Sequence, residues 1–229
     1  MARLKKKLFG NISGAFGDAV FRQIGTTNYI AQKPASYKKP DTQGFRERTI
    51  KFSLAVKLAK NINRVNDLKK IWKTEFPTVT RLFNFLVQKN YGYITADGIS
   101  SNPRITPDEN SFKAIIISNT VTSGNINVKI QALNNIPLLN PEFDKKIKLI
   151  SIILLADPVD KNKNAFELIT IQSDAQVLIL SEVLTFDIDI SQTYGDLIQN
   201  YNSKKVFSAL ITLDDNNLPV NRSTTFFSS

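Results

Sequence analysis

Apolar residues follow two different periods along this chain, and the change falls near residue 93. Over residues 42–92 they recur every three or four positions, which is the spacing of an α-helix, whereas beyond residue 93 they alternate with polar residues as in a β-strand. The pattern therefore predicts three regions. They are a basic arm with a β-hairpin over residues 1–41, a helical segment over residues 42–92 and a β-domain over residues 93–229.

The first region contains two short runs that favour a hairpin within residues 14–32. Residues 20–24 and 29–30 are rich in β-branched and aromatic side chains, and residues 25–27 supply glycine and small polar residues for the turn. A two-stranded hairpin is marginal in water, so we expect its apolar side to pack on another element, with another protein chain as one candidate. Residues 33–41 contain two prolines and three lysines, which predicts an extended connector.

Three helices are predicted in the second region, and together they would form a small bundle. The first is capped by Asp41 or Thr42 and runs to about Val65, and the second runs from Asn66 or Asp67 to Phe76. The third covers about residues 78–92. The apolar positions of the first helix are expected to be Phe45, Thr49, Phe52, Val56, Ala59 and Ile62.

The third region predicts a series of short strands separated by Asp, Asn, Pro, Gly and Ser. The expected strands cover residues 112–117, 125–133, 148–156, 165–172, 176–181, 184–190, 206–214 and 223–227. Because no long helix is predicted between them, the pattern favours an antiparallel immunoglobulin-like β-sandwich, and the whole chain is predicted to be α+β. The strand order is left open.

Composition narrows the possible chemistry because the chain contains neither histidine nor cysteine. Ser-His-Asp and Cys-His nucleophiles, Cys/His zinc sites, haem ligation by histidine and disulfides are therefore excluded. We expect no catalytic residues, no metal and no cofactor. The basic N-terminus is not followed by an apolar run, and no apolar stretch approaches the about 20 residues of a membrane helix, so neither a secretory signal nor membrane insertion is expected.

The net charge of +10 is divided unevenly along the chain. Residues 1–90 contain 19 basic and 5 acidic residues, a net of +14, whereas residues 91–229 contain 11 basic and 15 acidic residues, a net of −4. This division indicates an anionic partner for the N-terminal part, with nucleic acid, an acidic protein surface and anionic lipid as candidates, and it favours head-to-tail contacts between copies. The candidate anion or partner contacts are Arg3, Lys5, Lys6, Lys7, Arg22, Lys33, Lys38, Lys39, Arg46 and Arg48.

Three other features are better explained by ordinary structure than by a site. Gly10, Gly14 and Gly17 do not match a phosphate-binding loop and favour turns. The single tryptophan, Trp72, fits the apolar face of its helix. Three pairs of acids could hold Ca²⁺ or act as paired carboxylates, but their surroundings favour solvated surface acids; they are Asp157 with Asp160, Asp187 with Asp189, and Asp214 with Asp215.

The run GNISGAFGDAVFRQIGTTNYIAQKP, followed by the connector and TQGFRERTIKFSLAVKLAK, resembles uncharacterised proteins of Bacteroidetes and their phages. Those proteins carry a Gly-Xaa-Ile-Ser-Gly-Lys-Xaa-Gly opening, a hairpin ending in Arg-Xaa-Lys-Pro or similar, and a Thr-Xaa-Xaa-Gln-Xaa-Xaa-Arg-Xaa-Xaa-Phe helix. The resemblance covers residues 8–65 and, more loosely, the C-terminal β-domain, and Ala15 stands where lysine is usual. The matching positions are Gly10, Ser13, Gly14, Gly17, Lys33, Pro34, Thr42 and Phe52.

The resemblance implies a virion component whose arm clasps neighbouring subunits, located in the virion and in the host cytoplasm before assembly. Our leading hypothesis is a non-catalytic structural protein of a phage virion, in the tail, connector or capsid surface, with copies of itself and other virion proteins as partners. The alternative is a nucleic-acid-binding protein that grips phosphates through residues 1–65 without reading sequence. A third hypothesis is a carboxylate-dependent enzyme or a glycan-binding module.

Overall fold

The computed structural model describes residues 2–3, 14–24, 26–33, 41–100 and 102–228, with residues 2, 3 and 228 described through their backbone. The chain divides into two compact units, Met1–Thr42 and Gln43–Ser229. The predicted helical segment therefore lies in the same unit as the predicted β-domain.

The described part of the first unit is an antiparallel sheet of four strands in the order β1-β4-β3-β2. The predicted hairpin is confirmed as β3 and β4, which pair from Ala19 opposite Gln32 to Ile24 opposite Thr27. Two further strands, which the sequence did not predict, flank this hairpin. The strands are β1 (Ala2–Arg3), β2 (Gly14–Phe16), β3 (Ala19–Ile24) and β4 (Thr27–Gln32).

The described residues of the second unit form four helices. The first two match their predicted bounds closely, the third begins later than predicted, and the fourth was not predicted. They are α1 (Gln43–Arg64), α2 (Asn66–Glu75), α3 (Leu82–Tyr91) and α4 (Ser191–Gln199).

The strands of the second unit confirm the α+β class. The segment predicted over residues 176–181 is a strand at its first two positions alone, and the short strands β5, β6 and β14 were not predicted. The strands are β5 (Ile94–Thr95), β6 (Gly98–Ile99), β7 (Ile116–Val121), β8 (Asn125–Ile130), β9 (Lys146–Pro158), β10 (Phe166–Gln172), β11 (Gln176–Val177), β12 (Leu184–Asp189), β13 (Tyr201–Leu213), β14 (Pro219–Arg222) and β15 (Phe226–Ser228).

A large antiparallel sheet forms the centre of this unit, in the order β10-β9-β13-β14, with β11 on β9 and β15 on β13. Its two 13-residue strands, β9 and β13, pair from Tyr201 opposite Pro158 to Leu213 opposite Lys146. Successive side chains of β9 enter different apolar clusters, with Ile152 in one and Ile153 in the other. The large sheet is therefore covered on both faces.

Helices α1, α2 and α3 cover one face of the large sheet. Trp72 of α2 is fully buried there, stacks on Phe76 with ring centroids 5.7 Å apart, and donates its Nε1–H to the carbonyl oxygen of Ile105 at 2.8 Å. The prediction that Phe52 lies on the apolar face of α1 is wrong, because Phe52 is 56% exposed. Burial on α1 starts two residues later, and its buried residues are Leu54, Ala55, Leu58, Ala59 and Ile62.

A smaller sheet in the order β12-β8-β7 covers the opposite face, so the unit has a helix layer, a large sheet and a small sheet. Ile126, Val128 and Ile130 of β8 and Phe186 of β12 point into this second core. The immunoglobulin-like sandwich is not confirmed, because helices occupy the other face of the large sheet. Among the described residues, no helix combines the length and apolar character needed to cross a membrane.

Candidate docking surface

The register of the N-terminal sheet sorts its side chains onto two faces. Phe16 lies opposite Ala19, and Phe21 lies between Gly14 and Ile30, so these residues share one face. Among the described residues that face carries no charge, and we call it the uncharged face. Its described members are Gly14, Phe16, Ala19, Phe21, Gln23, Asn28, Ile30 and Gln32.

The N-terminal sheet buries almost none of its side chains. Within residues 14–24 and 26–33, Asn28 is the one residue classed as buried. Phe16 on the uncharged face is 83% exposed, and Ile24 on the other face is 63% exposed. The strands are joined by backbone hydrogen bonds, but this part of the chain has no apolar core of its own.

The turn that sets this register requires a glycine. Gly17 occupies the two-residue turn between β2 and β3 with a φ of 56°, a conformation that side chains with a Cβ atom adopt at a cost. A Cβ atom at Gly17 would meet nothing within 4 Å, so the requirement is conformational and not one of space. The turn prediction is thus confirmed at Gly17 and wrong at Gly14, which lies in β2, while Gly10 lies outside the described residues.

Two of the predicted contacts come together in the N-terminal sheet. Arg3 of β1 and Arg22 of β3 both lie opposite Tyr29 of β4, from its two sides. Lys33 is exposed, and its backbone N–H donates to the carbonyl oxygen of Asp18 at 2.6 Å.

Two further predicted contacts belong to the second unit. Arg46 and Arg48 are exposed near the start of α1, which belongs to the second unit. The remaining five lie outside the described residues and are Lys5, Lys6, Lys7, Lys38 and Lys39.

The second unit has a cleft of about 240 Å³ between α1 and the start of β10. Lys57 lines it, but its Nζ donates to the carbonyl oxygen of Phe166 at 2.7 Å and lies 3.5 Å from a carboxylate oxygen of Glu167. Lys57, the one cation among the described lining residues, is therefore already bound within the protein. The other lining residues of the cleft are Thr49, Ile50, Ser53, Leu54, Asn164 and Ala165, which offer no convergent reactive groups.

The paired acids serve local structure. Asp187 accepts a hydrogen bond from the Asn125 side chain, and Asp189 accepts from the hydroxyl and the backbone N–H of Ser191. These two bonds, the side-chain bond first, lower the pKa of Asp189.

The other two acid pairs lie at turns. Asp160 accepts from the backbone N–H of Asn162, and Asp214 accepts from that of Leu218. In the part of the chain that the structure describes, no group of three or more acids is placed to hold a metal ion.

Sequence reasoning missed the uncharged face, because it treated residues 14–32 as one hairpin and placed no residue on a face. The signal was the Gly17 turn, which pairs Phe16 with Ala19 and so aligns Phe16 with the β3–β4 register.

A comparison with protein-family models gives no match, and a search of curated proteins finds none.

Proposed function

We propose that this chain is a non-catalytic structural protein that assembles with copies of itself through its basic N-terminal arm, and that the assembly is a phage virion. The observation that carries the self-assembly is the N-terminal sheet, whose described residues include no buried apolar side chain. The virion is supported by the resemblance of residues 8–65 to proteins of Bacteroidetes and their phages.

A sheet whose described residues bury no apolar side chain calls for a second layer. A sheet gains most of its stability from burying one or both faces, and the aromatic side chains of the uncharged face offer a surface for that purpose. Burial of Phe16 alone, which is 83% exposed, would remove on the order of 150 Å² from water and favour docking by a few kcal/mol. The sheet is thus a docking element that completes its fold on a partner.

A second copy is the partner that the charges favour. The docking sheet belongs to the part of the chain with a net charge of +14, and residues 91–229 carry a net charge of −4. A head-to-tail contact would place the basic part of one copy beside the acidic part of the next, which repeats into a ring or a filament.

Light scattering on the purified chain tests self-assembly. We expect the full chain to form a discrete oligomer and Phe16→Thr/Phe21→Thr to be monomeric, because both changes remove aromatic area from the uncharged face while keeping a β-forming residue. Val20→Thr/Ile24→Thr is the matched control on the opposite face and should keep the oligomer.

Two results would overturn this proposal: a monomeric wild-type chain at all concentrations, or equal masses for the two double variants. Thermal unfolding of the second unit should be the same in both variants, which excludes general misfolding.

The virion has its own test, detection of the chain by mass spectrometry in purified particles of the phage that encodes it. Absence from those particles would remove the virion and leave self-assembly standing.

A further inference from the structure

Helix α2 separates its charges between two sides. Both of its acids turn toward cations of the sheet region: Lys148 donates to Asp67 at 2.9 Å, and Arg222 donates to Glu75. These side chains are largely buried: the side chain of Asp67 is 17% exposed and that of Glu75 is 15% exposed. The negative charge of α2 is therefore neutralised inside the protein.

The lysines of α2 lie away from these acids. Leu68, Ile71 and Trp72 form the buried side of the helix, and at 100° per residue Lys70 and Lys73 fall on the opposite side. Both are exposed, and Lys69 beside them is partly exposed. Arg64, the last residue of α1, is exposed just before α2 begins.

These four cations, which we call the α2 cation face, have no acidic partner among the described residues. The ion pairs of the helical segment involve other residues: Lys57, Asp67, Glu75 and Lys89. The one remaining acid of residues 42–92, Glu47, accepts a hydrogen bond from Gln43 in the first turn of α1. No acid within residues 42–92 therefore pairs with the α2 cation face, which leaves these cations able to attract an anionic partner.

We propose that the α2 cation face binds the phosphate backbone of double-stranded nucleic acid without reading its sequence. Duplex DNA carries one charge per about 1.7 Å of its axis, so a ten-residue helix, about 15 Å long, can lie beside about nine phosphates. Lysine ammonium groups suit phosphate contacts of this kind, which position a protein without specifying bases. This function is additional to self-assembly and uses a different unit of the chain.

Fluorescence anisotropy with a random-sequence 20-base-pair DNA, titrated with the full chain at several salt concentrations, tests the proposal. The variant is Lys69→Gln/Lys70→Gln/Lys73→Gln. Its matched control, Lys129→Gln/Lys161→Gln/Lys163→Gln, makes the same change in net charge at exposed lysines outside the helices. We expect the variant to lower affinity by at least about tenfold and to reduce the slope of log K against log salt by about 2.7, since each phosphate contact contributes about 0.9.

Equal affinities and slopes for the variant and its control would overturn the proposal. It would also be overturned if the variant bound DNA as the wild type does but changed the mass of the oligomer, because the face would then dock an acidic protein surface. Neither result depends on the uncharged face. Loss of DNA binding in the α2 variant with an unchanged oligomer would separate the two functions.

Discussion

The two units of this protein pair their strands in the same way but differ in what covers the strands. In the second unit, helices bury one face of the large sheet and a small sheet buries the other, so that Phe207 and Leu210 of β13 are both fully buried. In the N-terminal sheet, Phe16 remains 83% exposed. Backbone pairing gives both units the geometry of their strands, and burial of apolar side chains is what we expect to make their stabilities differ.

Truncation of one aromatic side chain in each unit tests this comparison most strongly. Trp72→Ala should lower the free energy of unfolding of the second unit by about 3–5 kcal/mol, because it leaves a cavity among Phe76 and Phe85 and frees the carbonyl of Ile105. Phe16→Ala should change the free energy of unfolding of the N-terminal sheet by less than about 0.5 kcal/mol, because the Phe16 ring is exposed. Urea denaturation followed by far-UV circular dichroism measures both values.

The measurement needs a protein concentration at which light scattering shows a monomer, so that assembly does not contribute. Comparable losses for the two variants would break the comparison, because they would show that Phe16 is covered in the monomer. At higher concentration, Phe16→Ala should in addition lower the midpoint if the uncharged face docks a second copy.

Removal of the ion pair between Glu75 and Arg222 tests how much this contact contributes to holding the helices and the sheets of the second unit together. The ion pair joins α2 to β14, and the two side chains are 15% and 8% exposed. Glu75→Gln leaves the Arg222 charge buried without its counter-ion, so we expect a loss of about 3 kcal/mol in the free energy of unfolding. Urea denaturation again measures it.

Glu109→Gln is the matched control for this ion pair. It removes the acid of a longer contact, 3.8 Å from Lys89 and 43% exposed, and should cost less than about 1 kcal/mol. If Glu75→Gln instead produced two separate unfolding transitions, α2 would be held to the sheet mainly by this ion pair and not by the shared core.

Local periodicity explains why the helices could be predicted from sequence. Helices α1 and α2 are set by short-range spacing, and they begin and end close to the expected residues. Helix α4 escaped prediction because Ser191, Thr193 and Gly195 are weak helix formers. Helix α4 instead packs closely on a segment that is distant in sequence, since a Cβ atom at Gly195 would lie 3.2 Å from the carbonyl oxygen of Ser123.

Long-range pairing explains what could not be predicted about the sheets. The apolar run of β9 shows burial on both faces but does not show what covers each face. Strand β14 carries a proline and an asparagine, and it is fixed by contacts to residues distant in sequence, such as Asn221 Nδ2 donating to Asp144 Oδ1 at 3.1 Å. The uncharged face likewise depends on register, since a shift of one residue would move Phe16 to the other face.

The smallest effect is expected at Asp189, which lies in the well-covered unit but is itself exposed. Its pKa is lowered, mainly by the hydroxyl and then by the backbone N–H of Ser191 at the start of α4. Because the folded pKa lies below the ordinary aspartate value of 3.8, the contribution of Asp189 to stability is present above that pH and is lost as the pH falls through the folded pKa.

Asp189→Asn keeps the size and an acceptor oxygen but removes the charge, so it isolates this contribution. The variant should therefore unfold at a slightly lower temperature than the wild type at pH 7, and this difference should disappear as the pH falls through the folded pKa, which thermal denaturation over a series of decreasing pH values measures. If Asp189→Asn destabilised the protein as much as Glu75→Gln does, an exposed charge would contribute as much stability as a buried one. The unit to which a residue belongs would then matter more than the burial of its own side chain. A small difference that vanishes in acid would extend the comparison from units to single residues, because exposed groups would then contribute little in either unit.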